Sequence, residues 1–214
     1  QYQLYFELVK HLWHTERKKE AMSRLEYLTD VVDMVSHCSS IDDTSLRVKC
    51  WLELGEWKLS IAASPNSSTV TERVQAEVLT CFKRATMFED CGYKAWHAWS
   101  LLNFRIALQV SEETESSDRI GRNTQKATRN HVIAAVKGFA NAISQGTKMW
   151  CASVQQDLLN LLTCLFKYGN VGDVAFVLNE SIGKVDLDAW LGVLPQLLAR
   201  IHIKDPSIRS VLHP

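Results

Sequence analysis

Residues 4–32 read LYFELVKHLWHTERKKEAMSRLEYLTDVV, and the spacing of their apolar side chains decides the fold class. Leu4, Leu8 and Leu12 recur every four residues, then Ala21, Leu25, Leu28 and Val32 every three to four, the period a helix needs to bury one face. Two helices follow, over about 2–16 and 18–36, with the basic run Arg17, Lys18 and Lys19 on the solvated turn between them. The same period continues outward. Ser36–Thr44 is polar, and Asp43, Thr44 or Ser45 is placed to cap a helix running to about Ala63. Gly55 lies inside that helix, where Gly costs about 1 kcal/mol relative to Ala, so either a neighbouring helix approaches closely or the helix breaks there.

Ser64–Ser68 is a loop. Thr71–Glu89 then carries Val74, Val78, Leu79, Phe82, Ala85 and Met87 or Phe88 mostly on one stripe. After Gly92 a further helix has Ala95, Trp96, Trp99, Leu102, Phe104 and Leu108 as its apolar set. Ser111–Asn123 has hardly an apolar anchor to offset its ordering entropy and is expected to be a flexible loop. Helices are expected beyond it over about 125–145, 149–168, 171–183, 187–201 and 206–212. Asp186 and Asp188 are placed to cap the one starting near Leu187. Pro195 should remove one backbone bond and kink that helix. No stretch alternates long enough for a strand. The chain reads as all-α, in antiparallel pairs.

Composition narrows the function. The 214 residues carry 24 basic and 24 acidic side chains, so nothing in the net charge favours coating a nucleic acid or an anionic membrane, and any polyanion site must be a local patch. The longest apolar runs, such as Val132–Val136 and Leu158–Leu162, fall far short of the roughly 20 residues a bilayer span requires. Gln1 is followed at once by an amphipathic pattern with no basic leader, which reads as an internal piece of a longer chain. The six cysteines, Cys38, Cys50, Cys81, Cys91, Cys151 and Cys164, form no CxxC, and several sit in apolar helical runs. They read as reduced, buried thiols of a cytosolic protein, where the sequons at Asn66 and Asn179 mean little. Cys81 and Cys91 have neither the spacing nor the second pair of a zinc site.

Repeats are also visible. Phe82, Ala85 and Trp96 reproduce the tetratricopeptide order of aromatic, small residue and next-unit Trp. Trp51-Leu52-Glu53-Leu54-Gly55 is a similar Trp-x-x-Leu-Gly, and Leu12 with Ala21, Leu25 and Leu28 is a weaker third unit. Small residues on one helix admit aromatics from the next, so stacked hairpins bury a continuous core. After Asn130 the periodicity is weaker and the helical pairs more irregular.

Reacting groups are harder to find. There is no GxxxxGK[ST] or GxGxxG phosphate loop, no HExxH, no GxSxG and no kinase catalytic-loop pattern. His97, between Trp96 and Trp99, is the most tempting base, but a His on a Trp-rich helix reads as a packing or capping residue. No catalytic residue and no metal ligand is assigned, and the seven tryptophans read as packing anchors.

Several segments taken together resemble a known family. They are Lys10-His11-Leu12-Trp13, Leu54-Gly55-Glu56-Trp57, Tyr93-Lys94-Ala95-Trp96-His97-Ala98-Trp99 followed by Asn103-Phe104, and Trp190-Leu191-Gly192-Val193-Leu194-Pro195-Gln196-Leu197-Leu198-Ala199-Arg200-Ile201. In this order and spacing they resemble the FAT domain of the target-of-rapamycin (TOR) kinases, which belong to the phosphatidylinositol-3-kinase-related protein kinases. The resemblance implies one α-solenoid segment, with tetratricopeptide-like repeats over 1–110, a flexible loop over 111–124 and HEAT-like pairs over 125–214. It implies a non-catalytic scaffold in growth and nutrient signalling that clamps and supports a serine/threonine kinase domain of the same chain. Accessory subunits of a TOR complex and a second copy of the parent are the other implied partners, with no nucleic acid and no membrane span. The implied location is cytoplasmic, with endomembrane association through partners. ATP and Mg belong only to the parent's kinase domain. The family also binds inositol hexakisphosphate in a basic pocket of this solenoid, and Lys10, Lys49 and Lys94 fall where it places pocket cations. His14 and Glu53 depart from that pattern, since the family often has further cations there. The alternative is a free-standing tetratricopeptide adaptor, which would line its helix faces with Asn, Lys and Arg where this chain has Trp51, Trp96 and Trp99. A helical enzyme with an unrecognised site is the third reading.

Overall fold

The computed structural model describes residues 1–36, 44–63, 72–88, 91–115, 122–148 and 153–199. All the regular structure among them is helical, as the periodicity requires, and it divides into two compact units, Gln1–Cys91 and Gly92–Pro214. The first holds α1 (Tyr2–His14), α2 (Lys18–Ser36), α3 (Thr44–Ala62) and α4 (Glu72–Ala85). The second holds α5 (Gly92–Glu115), α6 (Arg122–Lys148), α7 (Val154–Tyr168), α8 (Gly172–Ile182) and two short helices, α9 (Leu187–Leu191) and α10 (Leu194–Leu198).

In the first unit the stripe Ala21, Leu25, Leu28 and Val32 of α2 is buried as its spacing demands. The stripe expected on α1 is buried only at Leu12. Leu4 is 77% and Leu8 47% exposed, while Phe6, Val9 and Leu12 are buried. Both sets have helical spacing; the aromatic, β-branched one faces the core because Phe6 fills more of it. Ion pairs fix the lay of the helices. Asp33 meets Arg47 and Lys58 meets Glu26, so α2 and α3 run antiparallel; Lys58 also meets Glu77, which sets α4 antiparallel to α3. The stacked rings of Trp13 and Trp57, 4.3 Å apart and 4° from coplanar, and the pair Lys10–Glu53 lay α1 parallel to α3. Gly55 marks close approach rather than a break: a Cβ there would stand 2.4 Å from the Phe82 ring on α4.

In the second unit, α6 is 27 residues long, about 40 Å of helix, and packs against α5, α7 and α8. Phe139, Ile143, Leu158, Leu161, Leu165 and Leu178 are fully buried around it. Gly146, late in α6, lies against Tyr93 at the start of α5, and Gly138 lies against Ser100, so α5 and α6 are antiparallel. Asn103, 3% exposed, donates to the Trp99 carbonyl at 2.8 Å, and its Oδ1 accepts from His131 Nδ1 of α6 at 2.9 Å. Burial holds the His131 imidazole below its ordinary pKa, which keeps the neutral ring that this single hydrogen bond suits.

Two boundaries depart from the sequence reading. Ser111–Glu115 is the last turn of α5 and α6 begins at Arg122, so both ends of the stretch expected as loop are helical. Ser111 explains the first: its Oγ bonds the Ala107 carbonyl at 2.8 Å and lies 2.9 Å from the Tyr168 hydroxyl, a tertiary anchor that composition does not show. Residues 187–199, the described part of the stretch expected as one kinked helix, are also not one helix. Gly192 ends α9, and Pro195 stands in the first turn of α10, where the lost N–H had no partner to lose. Asp186 is the N-cap of α9, but its side chain makes no capping hydrogen bond, and Asp188 sits in the first turn. The expected helix at 206–212, the loop at Ser64–Ser68 and the cap candidate Asp43 lie outside the described residues.

Candidate functional site

The pocket lysines expected from the sequence stand on different elements. Lys10, on α1, is 3.7 Å from the Glu53 carboxylate of α3 and borders a groove of about 490 Å³. Trp13, His14, Glu53, Glu56, Trp57 and Ser60 complete its lining. Two carboxylates thus face one ammonium and one imidazole, so this groove is not cationic in itself. Lys49 is exposed on α3, one turn before Glu53. Lys94 is exposed on α5 in the other unit. Lys10 and Lys49 therefore share a unit, and Glu53 lies within reach of both: it is ion-paired with one and an i,i+4 neighbour of the other.

The described tryptophans occupy core and core-edge positions. Trp51 and Trp57 are buried. Trp96 and Trp99 are half-buried, with ring centroids 5.9 Å apart in an edge arrangement. Such aromatic pairs add about 0.5–1.5 kcal/mol beyond the area they cover. Trp51 also belongs to a charged junction. Asp33 on α2 accepts from Arg47 at 3.2 Å and from the Trp51 indole at 3.4 Å on α3, and its other oxygen lies 3.4 Å from Arg84 on α4. The Arg84 guanidinium also lies 4.9 Å from the Trp51 ring, and that of Arg47 4.3 Å from Phe88. One carboxylate here ties three helices.

His97 has a partner that sequence reasoning missed. Asp157, on the first turn of α7, is fully buried. Its Oδ2 accepts from the Tyr93 hydroxyl at 2.7 Å and its Oδ1 lies 2.9 Å from His97 Nδ1. Tyr93 and His97 are neighbours one turn apart on α5, 3.1 Å between hydroxyl and Nδ1. A buried carboxylate is tolerable only with such donors around it. The arrangement locks α5 to α7, and it gives His97 the packed role its setting on a Trp-rich helix implies. The spacing Tyr93-x-x-x-His97 was visible in the sequence; the acid 60 residues further on had no local mark.

The described cysteines, Cys50, Cys81, Cys91 and Cys164, are buried, whereas Cys38 and Cys151 lie outside the described residues. Burial pushes the Cys164 thiol up to about 12, and pushes Cys81 up as well despite the opposing pull of Lys58. Neither is a thiolate at neutral pH, which leaves them unreactive as nucleophiles. Among the described residues no group of three or more His, Cys, Asp and Glu side chains could hold a metal ion, and no helix is long and apolar enough to cross a membrane.

Comparison with known proteins places these features. A family model described as the FAT domain matches residues 1–163. Serine/threonine-protein kinase tor1 of Schizosaccharomyces pombe is 34% identical to the chain, over 96% of this chain and 9% of that protein. Serine/threonine-protein kinase TOR2 of Saccharomyces cerevisiae is 29% identical over 95% of the chain and 10% of that protein. Serine/threonine-protein kinase mTor of Drosophila melanogaster is 25% identical over 99% of the chain and 9% of that protein. The chain spans about a tenth of the length of these curated relatives.

Proposed function

Because the chain belongs to the FAT-domain family, in a stretch it shares with TOR kinases, we propose that it is a non-catalytic scaffold segment of a TOR-type serine/threonine kinase. In this reading it supports a kinase domain on the same polypeptide and offers surfaces to accessory subunits or to a second copy of the parent. The observation that carries it is the family match over residues 1–163 together with the alignment of the chain over nearly its whole length to TOR kinases. The physical character of the segment suits the role. Its aromatic side chains and buried polar groups are spent on joining helices: Trp13 to Trp57, Asp33 to two neighbouring helices, Asp157 to α5. Helices joined in this way repack between discrete arrangements and pass restraint along their length. The division into tetratricopeptide-like hairpins over 1–110 and HEAT-like pairs over 125–214, and a cytoplasmic location, belong to the same proposal.

The test is the coding sequence beyond Pro214. The reading requires a protein-kinase catalytic region on the same polypeptide, and a stop codon directly after Pro214 would overturn it in favour of a free-standing helical adaptor.

Inositol hexakisphosphate binding through Lys10, Lys49 and Lys94 extends this proposal. The exposure of Lys49 and Lys94 supports it, since ammonium groups open to solvent can turn toward a phosphate. Glu53 weighs on it, because it already pairs with Lys10. In calorimetry on the full-length protein, Lys49→Glu and Lys94→Glu are each expected to weaken binding of the hexakisphosphate at least tenfold, while Glu53→Gln strengthens it. Unchanged affinity in both lysine variants would remove the pocket from this segment.

A further inference from the structure

The last described stretch, residues 187–199, carries apolar side chains on two faces. One faces inward. Val193 is fully buried, and Ala189, Trp190 and Leu197 pack against the core of the second unit. The other is open. Leu187, Leu191, Leu194 and Leu198 are 81%, 64%, 44% and 55% exposed. Their spacing of four, three and four residues is that of a helix–helix seam. Between α9 and α10, Gly192 keeps helical angles (φ −66°, ψ −19°) and the Val193 N–H donates to the Trp190 carbonyl at 3.1 Å, so the turn continues across the junction. The four leucines therefore lie along one stripe, about 60° wide on an ideal helical wheel. Asp188, Pro195 and Gln196 take the remaining, solvent side. Single exposed leucines on a surface need no explanation, but four in register mark a face made to be covered.

We propose that residues 206–212 of this same chain fold back as an antiparallel helix onto the leucine stripe. Residues 200–214 lie outside the described residues, and their sequence carries the pattern. Asp205-Pro206 is a helix start, with an acid placed to cap and Pro at the first helical position. Ile208, Val211 and Leu212 then fall on one face, at the spacing a buried helix face needs, with Ser207, Arg209 and Ser210 elsewhere on the wheel. The six residues 200–205 join this segment to Ala199. Extended, they reach about 20 Å, whereas packed helices lie about 8–10 Å apart, and a connection this short favours an antiparallel neighbour. Charge agrees. Residues 185–199 hold Asp186 and Asp188 and no basic side chain, and residues 206–212 hold Arg209 and no acid. A segment on so short a tether also meets the stripe at a millimolar effective concentration, which a separate chain does not match. The pairing rests on the HEAT-like reading of 125–214 given above and does not need the kinase domain.

Hydrogen exchange on the full-length protein tests this. In the wild type the amides of residues 208–212 should exchange at least tenfold more slowly than an unstructured chain of that sequence. Leu194→Asp with Leu198→Asp should remove this protection, and Ile208→Asp with Leu212→Asp should speed exchange over residues 187–198 at least tenfold, equally at two protein concentrations. Met34→Asp, at an exposed apolar position of the other unit, should change neither. Unprotected 208–212 amides in the wild type would overturn the pairing together with the HEAT-like reading of this end. Protected amides that ignore the stripe variants would overturn the pairing alone. Protection of 187–198 that survives Ile208→Asp with Leu212→Asp would also overturn it, giving the stripe to a second copy if the protection falls on dilution and to another part of the parent if it does not. Leu194→Ala with Leu198→Ala, which strands no charge, reads the same dependence if the aspartate pair misfolds.

Discussion

Phe82→Ala is expected to lower the local stability of the first unit by about 3–5 kcal/mol, and Gly55→Ala to lower it as well, against its helix propensity. Phe82 is 3% exposed, and its ring occupies the space a side chain at Gly55 would need. Propensity alone would make Gly55→Ala stabilising by about 1 kcal/mol. The ring stands where the new Cβ would go, with its atoms 2.4 Å and 2.8 Å away, and overpacking of that kind costs about 1–3 kcal/mol. The two sites are in contact, so their effects should not add: Gly55→Ala combined with Phe82→Leu should lie nearer wild type than the sum of the single changes. Hydrogen exchange of the α3 and α4 amides in the full-length protein reads these variants, with Phe82→Leu alone completing the cycle. Slower exchange in Gly55→Ala than in wild type would show that the two helices do not meet as described.

The second large effect belongs to Asp157. Asp157→Leu removes the buried acceptor that the Tyr93 hydroxyl and the part-exposed His97 ring share, leaving them each other, and about 1–3 kcal/mol of the α5–α7 association should go with it. Asp157→Asn keeps one acceptor and should cost less. Tyr93→Phe removes one donor and should cost about 1 kcal/mol. The informative variant is the triple change Tyr93→Phe, His97→Leu and Asp157→Leu, which removes the whole polar set; it should recover part of the loss, because no group is then left stranded. Amide exchange along the first turns of α5 and α7 is the measurement. An Asp157→Leu protein with wild-type protection there would mean that the cluster holds nothing together.

These residues also show what the sequence made legible. The α2 stripe could be read because it has one apolar face and no rival. On α1, Leu4 and Leu8 compete with Phe6 and Val9 at equally good spacing, and only the neighbouring helices decide between them. The helix pattern leaves Gly55 as either a close approach or a break, and Phe82 on another helix decides for close approach. Polarity made Ser111–Glu115 look like loop; a bond to Tyr168, 57 residues away, holds its start in a helix. Pro195 disrupts a helix interior, yet whether Pro bends a helix or starts one depends on the glycine before it. At the candidate site the rule was similar. The family resemblance alone marks Glu53 as a departure among the expected cations, and it pairs with Lys10. Asp157 had no local mark, since a buried polar group is defined by partners distant in the chain.

The shielded thiols give the molecule an internal clock. Cys50, Cys81 and Cys91 sit in one unit and Cys164 in the other, all four buried. A maleimide can reach them only when the helices around them part, so the rate at which each sulfur is alkylated times the breathing of its own unit. The two halves of the chain can therefore be timed separately in one sample, with no probe added to either.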